Sequence, residues 1–226
     1  MTQYDALLKA VQDSHIFKRN KIALETKVLA CLLYLAGLSY RGMTLQTGII
    51  IPACYRSVHY WVHKLRGITS SLPRKARRLV AMDETKQKVN GKQLFVRSAI
   101  DVESRELLAI YASYQRSSIN ALIFVKTVLA TCEGKPVVLV DGGPWYPWAL
   151  ERYGLRWLHI TFGRRNAIER FYRTFKERTK RFCDNINARV GKIRSLDAFL
   201  SLFVLYYDHL RWHQGLRRIP GGELVI

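Results

Sequence analysis

The chain has 226 residues, 49% of them apolar and 24% charged, enough for one full core plus a small accessory domain and too apolar for a disordered protein. Its 37 Lys and Arg against 17 Asp and Glu leave a formal charge of +20, spread along the chain, which points to a polyanionic partner: nucleic acid first, an anionic membrane surface second. No amphipathic lipid-binding helix supports the membrane, and Cys31, Cys54, Cys132 and Cys183 form no C-x-x-C pair, so neither a zinc site nor a disulfide framework is expected.

The opening residues, Met-Thr-Gln-Tyr-Asp, lack the basic-then-apolar pattern of a signal peptide. The apolar run Val28 to Leu38 is too short to span a bilayer, and a soluble intracellular protein is expected. Residues from about Tyr4 to Arg66 read as helices: Leu24 to Leu38, a short piece between Ser39 and Gly48, and Ala53 to Leu65 after Pro52. Two short helices after a longer one, the last rich in aromatic and basic residues, resemble a helix-turn-helix unit, which would set Tyr55, Arg56, His59 and Lys64 against DNA. A plain helical bundle with a solvated basic face is the alternative. His59 and His63 are four residues apart, but Tyr60 stands where the H-E-x-x-H zinc motif needs glutamate. Residues 67–78 read as a linker whose basic cluster, Arg74, Lys75, Arg77 and Arg78, suits a DNA backbone.

From Leu79 the period changes to that of strands. Leu79 to Val89 and Gln93 to Val102 flank Asn90-Gly91, a two-residue hairpin signal, and Glu106 to Tyr114 supplies a third strand. Ser118 to Cys132 reads as a helix and Val137 to Val140 as a strand covered on both faces. A short helix from Trp145 to Arg152 follows, then a strand from Arg156 to Phe162 and a long helix from Asn166 to about Ile186. In that helix Ile168, Phe171, Tyr172 and Phe175 make one apolar face, with Glu169, Arg173 and Lys176 on the neighbouring one. Ser195 to Trp212 reads as a last apolar helix.

Two strand-borne aspartates, Asp83 and Asp141, and the helix-borne Glu169 stand out in so basic a chain. Phosphodiester cleavage needs transition-state charge offset and a water or hydroxyl activated, which two divalent ions about 4 Å apart can do. Mg²⁺ takes oxygen ligands and a few carboxylates, so three converging acids suffice. Each acid also has a structural explanation: a strand charge at Asp83, an Asx-type turn at Asp141, a helix-start box with Asn166 at Glu169. Their order, their elements and the net charge together favour chemistry. Glu84, Asp101, Glu103, Glu106 and Asp184 are read as exposed acids at hairpins or helix ends.

Met82-Asp83-Glu84-Thr85, then Val140-Asp141-Gly142-Gly143 with Trp145-Tyr146, then Arg165-Asn166-Ala167-Ile168-Glu169-Arg170 resemble the DDE transposases of insertion sequences, in particular the insertion-sequence-six family. The stretch Tyr207 to Leu216 (YDHLRWHQGL) resembles the tail motif common in transposases and integrases, with Trp212 where proline is usual. The resemblance implies an α/β ribonuclease-H-like mixed sheet flanked by helices, preceded by a small helix-turn-helix region. By it, Asp83, Asp141 and Glu169 are the catalytic and metal-binding triad and Lys176 is the family's basic residue after the glutamate. The interval from Asp141 to Glu169 is shorter than is usual there.

The expected division is 1–66 helical and DNA-binding, 67–78 basic linker, 79–194 catalytic domain and 195–226 C-terminal helix and tail. The expected function is Mg²⁺-dependent nicking at element ends and strand transfer into target DNA, with Mn²⁺ as a substitute ion. The partner is double-stranded DNA, bound by a homodimer or larger assembly in the cytoplasm of a prokaryote. A cleavage-dead, transposase-derived repressor and a ribonuclease-H-type nuclease that never joins strands are the rivals.

Overall fold

The computed structural model describes residues 2–18, 21–45, 51–68, 73–160, 163, 166–182, 185–186 and 194–222. The chain forms two compact units, one comprising 1–70, 177–183 and 192–226, the other 71–176 and 184–191.

The first unit is helical. Helix α1 (Gln3–Ser14) starts on a capping box in which the Thr2 hydroxyl accepts from the Asp5 N–H and the Asp5 carboxylate accepts from the Thr2 N–H. Helix α2 (Leu24–Ala36) stops at Gly37, whose φ of 118° returns its N–H to the last turn. After α3 (Tyr40–Leu45) comes α4 (Tyr55–Leu65), which buries Val58, Trp61, Val62 and Leu65 at helical spacing and leaves Tyr55, Arg56, His59 and Tyr60 exposed. The same unit holds α8 (Arg194–Leu205), which runs into a π-helical turn, Tyr206–Leu210. The single helix expected up to Trp212 is corrected there: Arg211 is extended, with ψ 123°.

The second unit is built on a mixed sheet. Strands β2 (Leu79–Val89) and β3 (Lys92–Asp101) form the expected hairpin, with Asn90 at φ 49° and Gly91 at φ 75°. Two left-handed residues give the turn a twist that matches the strands. Strand β4 (Leu107–Ser113) pairs with β3 antiparallel, while β6 (Val137–Val140) and β7 (Trp157–His159) add parallel strands, giving the order β4-β3-β2-β6-β7. Helices α5 (Ser118–Leu129) and α6 (Tyr146–Arg152) bury Phe124, Val125, Val128, Ala149 and Leu150 in one core with Val80, Met82, Val138 and Val140.

Helix α7 (Asn166–Thr179) buries the predicted stripe of Ile168, Phe171, Tyr172 and Phe175. It ends at Thr179, followed by a 3-10 turn, and Asn185–Ile186 forms strand β8 beside the hairpin end of β2. The helix expected to reach Ile186 is therefore shorter, and the later residues satisfy the edge of β2. Two further segments differ from expectation. Lys75–Ala76, read as linker, is strand β1, and Cys132–Glu133, read as helix end, is its parallel partner β5.

Candidate active site

The two aspartates belong to neighbouring segments of the sheet, Asp83 on β2 and Asp141 at the end of β6. Strands β2 and β6 pair Leu79 with Val137, Val80 with Val138 and Ala81 with Leu139. Asp83 lies two residues beyond the last β2 residue so paired, and Asp141 follows directly on the end of β6. Alternation decides which acid faces where. Val80 and Met82 point into the core under α5 and α6, so Glu84 continues that row, while Asp83 takes the other face. There the Tyr172 hydroxyl of α7, within hydrogen-bond reach of the Val96 carbonyl (3.2 Å), donates to the Asp83 carbonyl at 2.7 Å. Burial and the Asp83 charge hold the Tyr172 phenol well above its ordinary range, so it stays a neutral donor. Glu169 lies one turn before Tyr172, a rise of about 4.5 Å along the helix.

Asp83 is buried and its carboxylate accepts from the Glu84 N–H at 2.7 Å, whereas Asp141 and Glu169 are exposed. Asp141 does make the turn expected of it, accepting from the Gly143 N–H at 3.3 Å. The loop after it is tightly held. At Gly142, φ 82°, an added Cβ would stand 2.8 Å from the His159 ring, and at Gly143 the same distance from the Trp145 ring. Neither position accepts a side chain without moving an aromatic ring.

Glu84 is a correction to its reading as an exposed acid. Its side chain is buried, with Arg97 3.6 Å away and Arg116 in direct contact. Burial raises its pKa against the lowering pull of both arginines, and Asp141 adds to the rise. The Arg116 guanidinium lies between the rings of Phe95 (4.4 Å) and Trp145 (4.6 Å), so one side chain ties β2 and β3 to the loop carrying Asp141. Local pattern concealed this cluster: its members are spread over four elements, and its only trace was an acid doublet. Tyr146, whose phenol is also pushed up, first by burial, completes it.

Among the described residues no group of three or more His, Cys, Asp or Glu is gathered to hold a metal ion. Carboxylates such as Asp83 and Asp141 are the donors a hard, oxygen-seeking cation takes, but among the described residues the three-acid cluster is not assembled.

The basic candidates separate by exposure. Arg173 and Lys176 are exposed on α7. In the helical unit, Arg56 is exposed and its Nε donates to the Tyr55 hydroxyl at 3.4 Å. His59 is flanked by Tyr40 and His63, with ring centroids at 5.1 and 4.1 Å, and Lys64 donates to the Ile16 carbonyl at 3.3 Å. Partial burial lowers the pKa of both imidazoles. Arg78 is exposed and pairs with Glu103, and Arg74 donates to the Cys132 carbonyl.

Arg77 is a correction. Its side chain is 1% exposed, bonded to Asp101 at 3.1 Å and Glu106 at 2.5 Å, which removes it from any DNA surface. Glu106 also takes Lys75, at 2.5 Å. Asp101 and Glu106, expected exposed, are thus the buried half of an ion-pair network.

No family model matches the chain. Among solved structures, the HTLV-2 integrase catalytic core domain, determined in complex with magnesium, superposes with a TM-score of 0.50 at 13% identity, covering 70% of this chain and 100% of that one. A chain of the simian T-cell lymphotropic virus intasome, determined with PP2A regulatory subunit B56 gamma, gives 0.50 at 16% identity, covering 84% and 72%. The mixed sheet flanked by helices thus matches the ribonuclease-H-like fold of integrase catalytic cores. An uncharacterized protein of Aquifex aeolicus, aq_aa24, is 42% identical over 57 residues, 25% of this chain and 46% of its own. The uncharacterized protein MJ0017 of Methanocaldococcus jannaschii is 37% identical over 207 residues, 92% of this chain and 96% of that one. On that likeness the chain belongs to the MJ0017 family.

Proposed function

We propose that the chain is a DDE transposase of the insertion-sequence-six type, nicking DNA at element ends and joining the freed 3′-hydroxyl to target DNA. The observation that carries the proposal is that Asp83 lies on β2 and Asp141 just past the end of its parallel neighbour β6, in a sheet like that of integrase catalytic cores. These two carboxylates would hold Mg²⁺, or Mn²⁺ in its place, and the magnesium bound to the HTLV-2 core supports that choice. Such an ion supplies charge neutralisation at the scissile phosphate and a water or hydroxyl activated at neutral pH.

The chain's own groups do the rest. Asp83 is fixed by the strand and by the Tyr172 bond to its carbonyl; Asp141 is fixed by its turn and the ring-packed glycines. Glu169, one turn from Tyr172, would supply the third acid and a ligand for a second ion. Arg173 and Lys176 hold the terminal phosphates. Arg56, His59 and Lys64 contact the element end, and Arg74, Lys75 and Arg78 its backbone. The assembly on DNA is a homodimer or larger, working in the cytoplasm of a prokaryote.

Asp83→Asn, Asp141→Asn and Glu169→Gln should each abolish cleavage while leaving DNA binding measurable. Strand joining by the parent protein separates it from a nuclease that only hydrolyses. Undiminished cutting by all three variants would refute the proposal. The absence of a gathered three-acid group among the described residues favours a second reading, a cleavage-dead transposase-derived repressor. That reading requires binding without metal dependence and no nicked product.

A further inference from the structure

From the surface of the helical unit we infer a binding site for an unpaired nucleotide, formed by the tail that follows the π-helical turn. The tail is tightly bonded. The Arg211 N–H donates to the Tyr206 carbonyl at 2.8 Å, and the Gly221 N–H to the Asp208 carbonyl at 2.8 Å. An added Cβ at Gly221 would lie 2.9 Å from the Asp208 carbonyl, so this approach requires glycine. Between these anchors His213 and Arg218 form an antiparallel bridge, the His213 N–H donating to the Arg218 carbonyl at 2.9 Å. The loop is closed by the Leu216 N–H, which donates to His213 Nδ1 at 3.1 Å. Arg217 takes a left-handed conformation, φ 51°.

This bonded loop presents Trp212, 55% exposed, together with the exposed Gln214, Arg217 and Arg218. Beside the indole opens a cleft of about 210 Å³ lined by Gln3, Ala6, His209, Leu210, Trp212 and Ile219. Its walls are apolar side chains with an aromatic edge and a few polar groups. That lining suits the flat face of a base, and the bridge sets Arg218 next to the residue after Trp212, where flanking phosphates would run. Two acids stand next in sequence to the cleft lining: Asp5, whose carboxylate accepts from the Thr2 N–H and hydroxyl, and Asp208, which is buried. A paired base keeps both faces inside the stack, so duplex DNA can use the arginines but not the cleft. The ligand class is therefore single-stranded or locally opened nucleic acid. This site is distinct from the aspartate pair, and measuring it without metal lets the two readings fail separately.

The test is fluorescence anisotropy of the full chain, in metal-free buffer, with a labelled oligothymidylate and with a duplex of equal length. Trp212→Ala should weaken single-strand binding about tenfold and leave duplex binding within about twofold, with Trp212→Phe retaining most of the affinity. Arg217→Ala combined with Arg218→Ala should flatten the log–log salt slope on the single strand by about 1.4. Unchanged single-strand affinity in Trp212→Ala, or equal losses on both DNAs, would overturn the inference.

Discussion

Tyr172 is the residue on which the active-site geometry turns, because its hydroxyl fixes α7 to the backbone of Asp83. Tyr172→Phe leaves a buried carbonyl short of a donor and should cost about 1–2 kcal/mol in chemical denaturation. It should also lower cleavage more than DNA binding; equal losses in both would mean the bond serves folding alone. Glu106 supports the sheet from its other end. Burial works against its charge, but hydrogen bonds and ion pairs from Lys75 and Arg77 leave its pKa below the ordinary 4.5. A depressed folded pKa means stability present in full above 4.5 and lost as pH falls toward the folded value. Glu106→Gln should therefore destabilise by about 3–5 kcal/mol at neutral pH and blunt the fall of Tm on acidification, which thermal melts between neutral and acid pH would register. At this scale the sequence was only partly legible. Asp83 and Asp141 stand out in the sequence because each ends or interrupts an apolar strand, and the structure puts Asp83 on β2 and Asp141 at the end of β6 as that pattern implies. Arg77 was misread as a DNA contact because its partners, Asp101 and Glu106, lie across the hairpin where no local pattern reports them.

Among the elements, those with a local signature were readable and those defined by pairing were not. Asn90-Gly91 announces its hairpin because both residues tolerate the left-handed region. Gly91→Val should cost about 1–2 kcal/mol through strain at φ 75°, a loss that equilibrium unfolding would register; no loss would mean the turn relaxes to another type. The apolar stripe of α7 was likewise plain, since burial follows the 3.6-residue period. Parallel pairing carries no such signal. The β2–β6 register spans a helix crossover, and the two-residue strands β1, β5 and β8 exist only because a neighbouring backbone needs partners. Their sequences were read as linker or helix for that reason.

For the whole molecule, the charge of +20 predicts DNA binding that weakens steeply with salt, and the sequence made this legible without any fold. The ion-pair network of Lys75, Arg77, Asp101 and Glu106 sets two bases against two acids, so it is neutral overall and leaves the whole excess to the rest of the chain. Exposed bases lie in both units, among them Arg56 in the helical unit and Arg78, Lys86, Lys126, Arg156, Arg173 and Lys176 in the other. The central proposal concerns the chemistry: Asp83 and Asp141 would hold one divalent ion at which DNA is cut. The most direct test incubates the purified protein with labelled DNA bearing its element's end, with and without Mg²⁺, beside Asp141→Asn. The account predicts nicking at the end that requires the ion and disappears in the variant. Binding without nicking, alike in both proteins and indifferent to Mg²⁺, would contradict it.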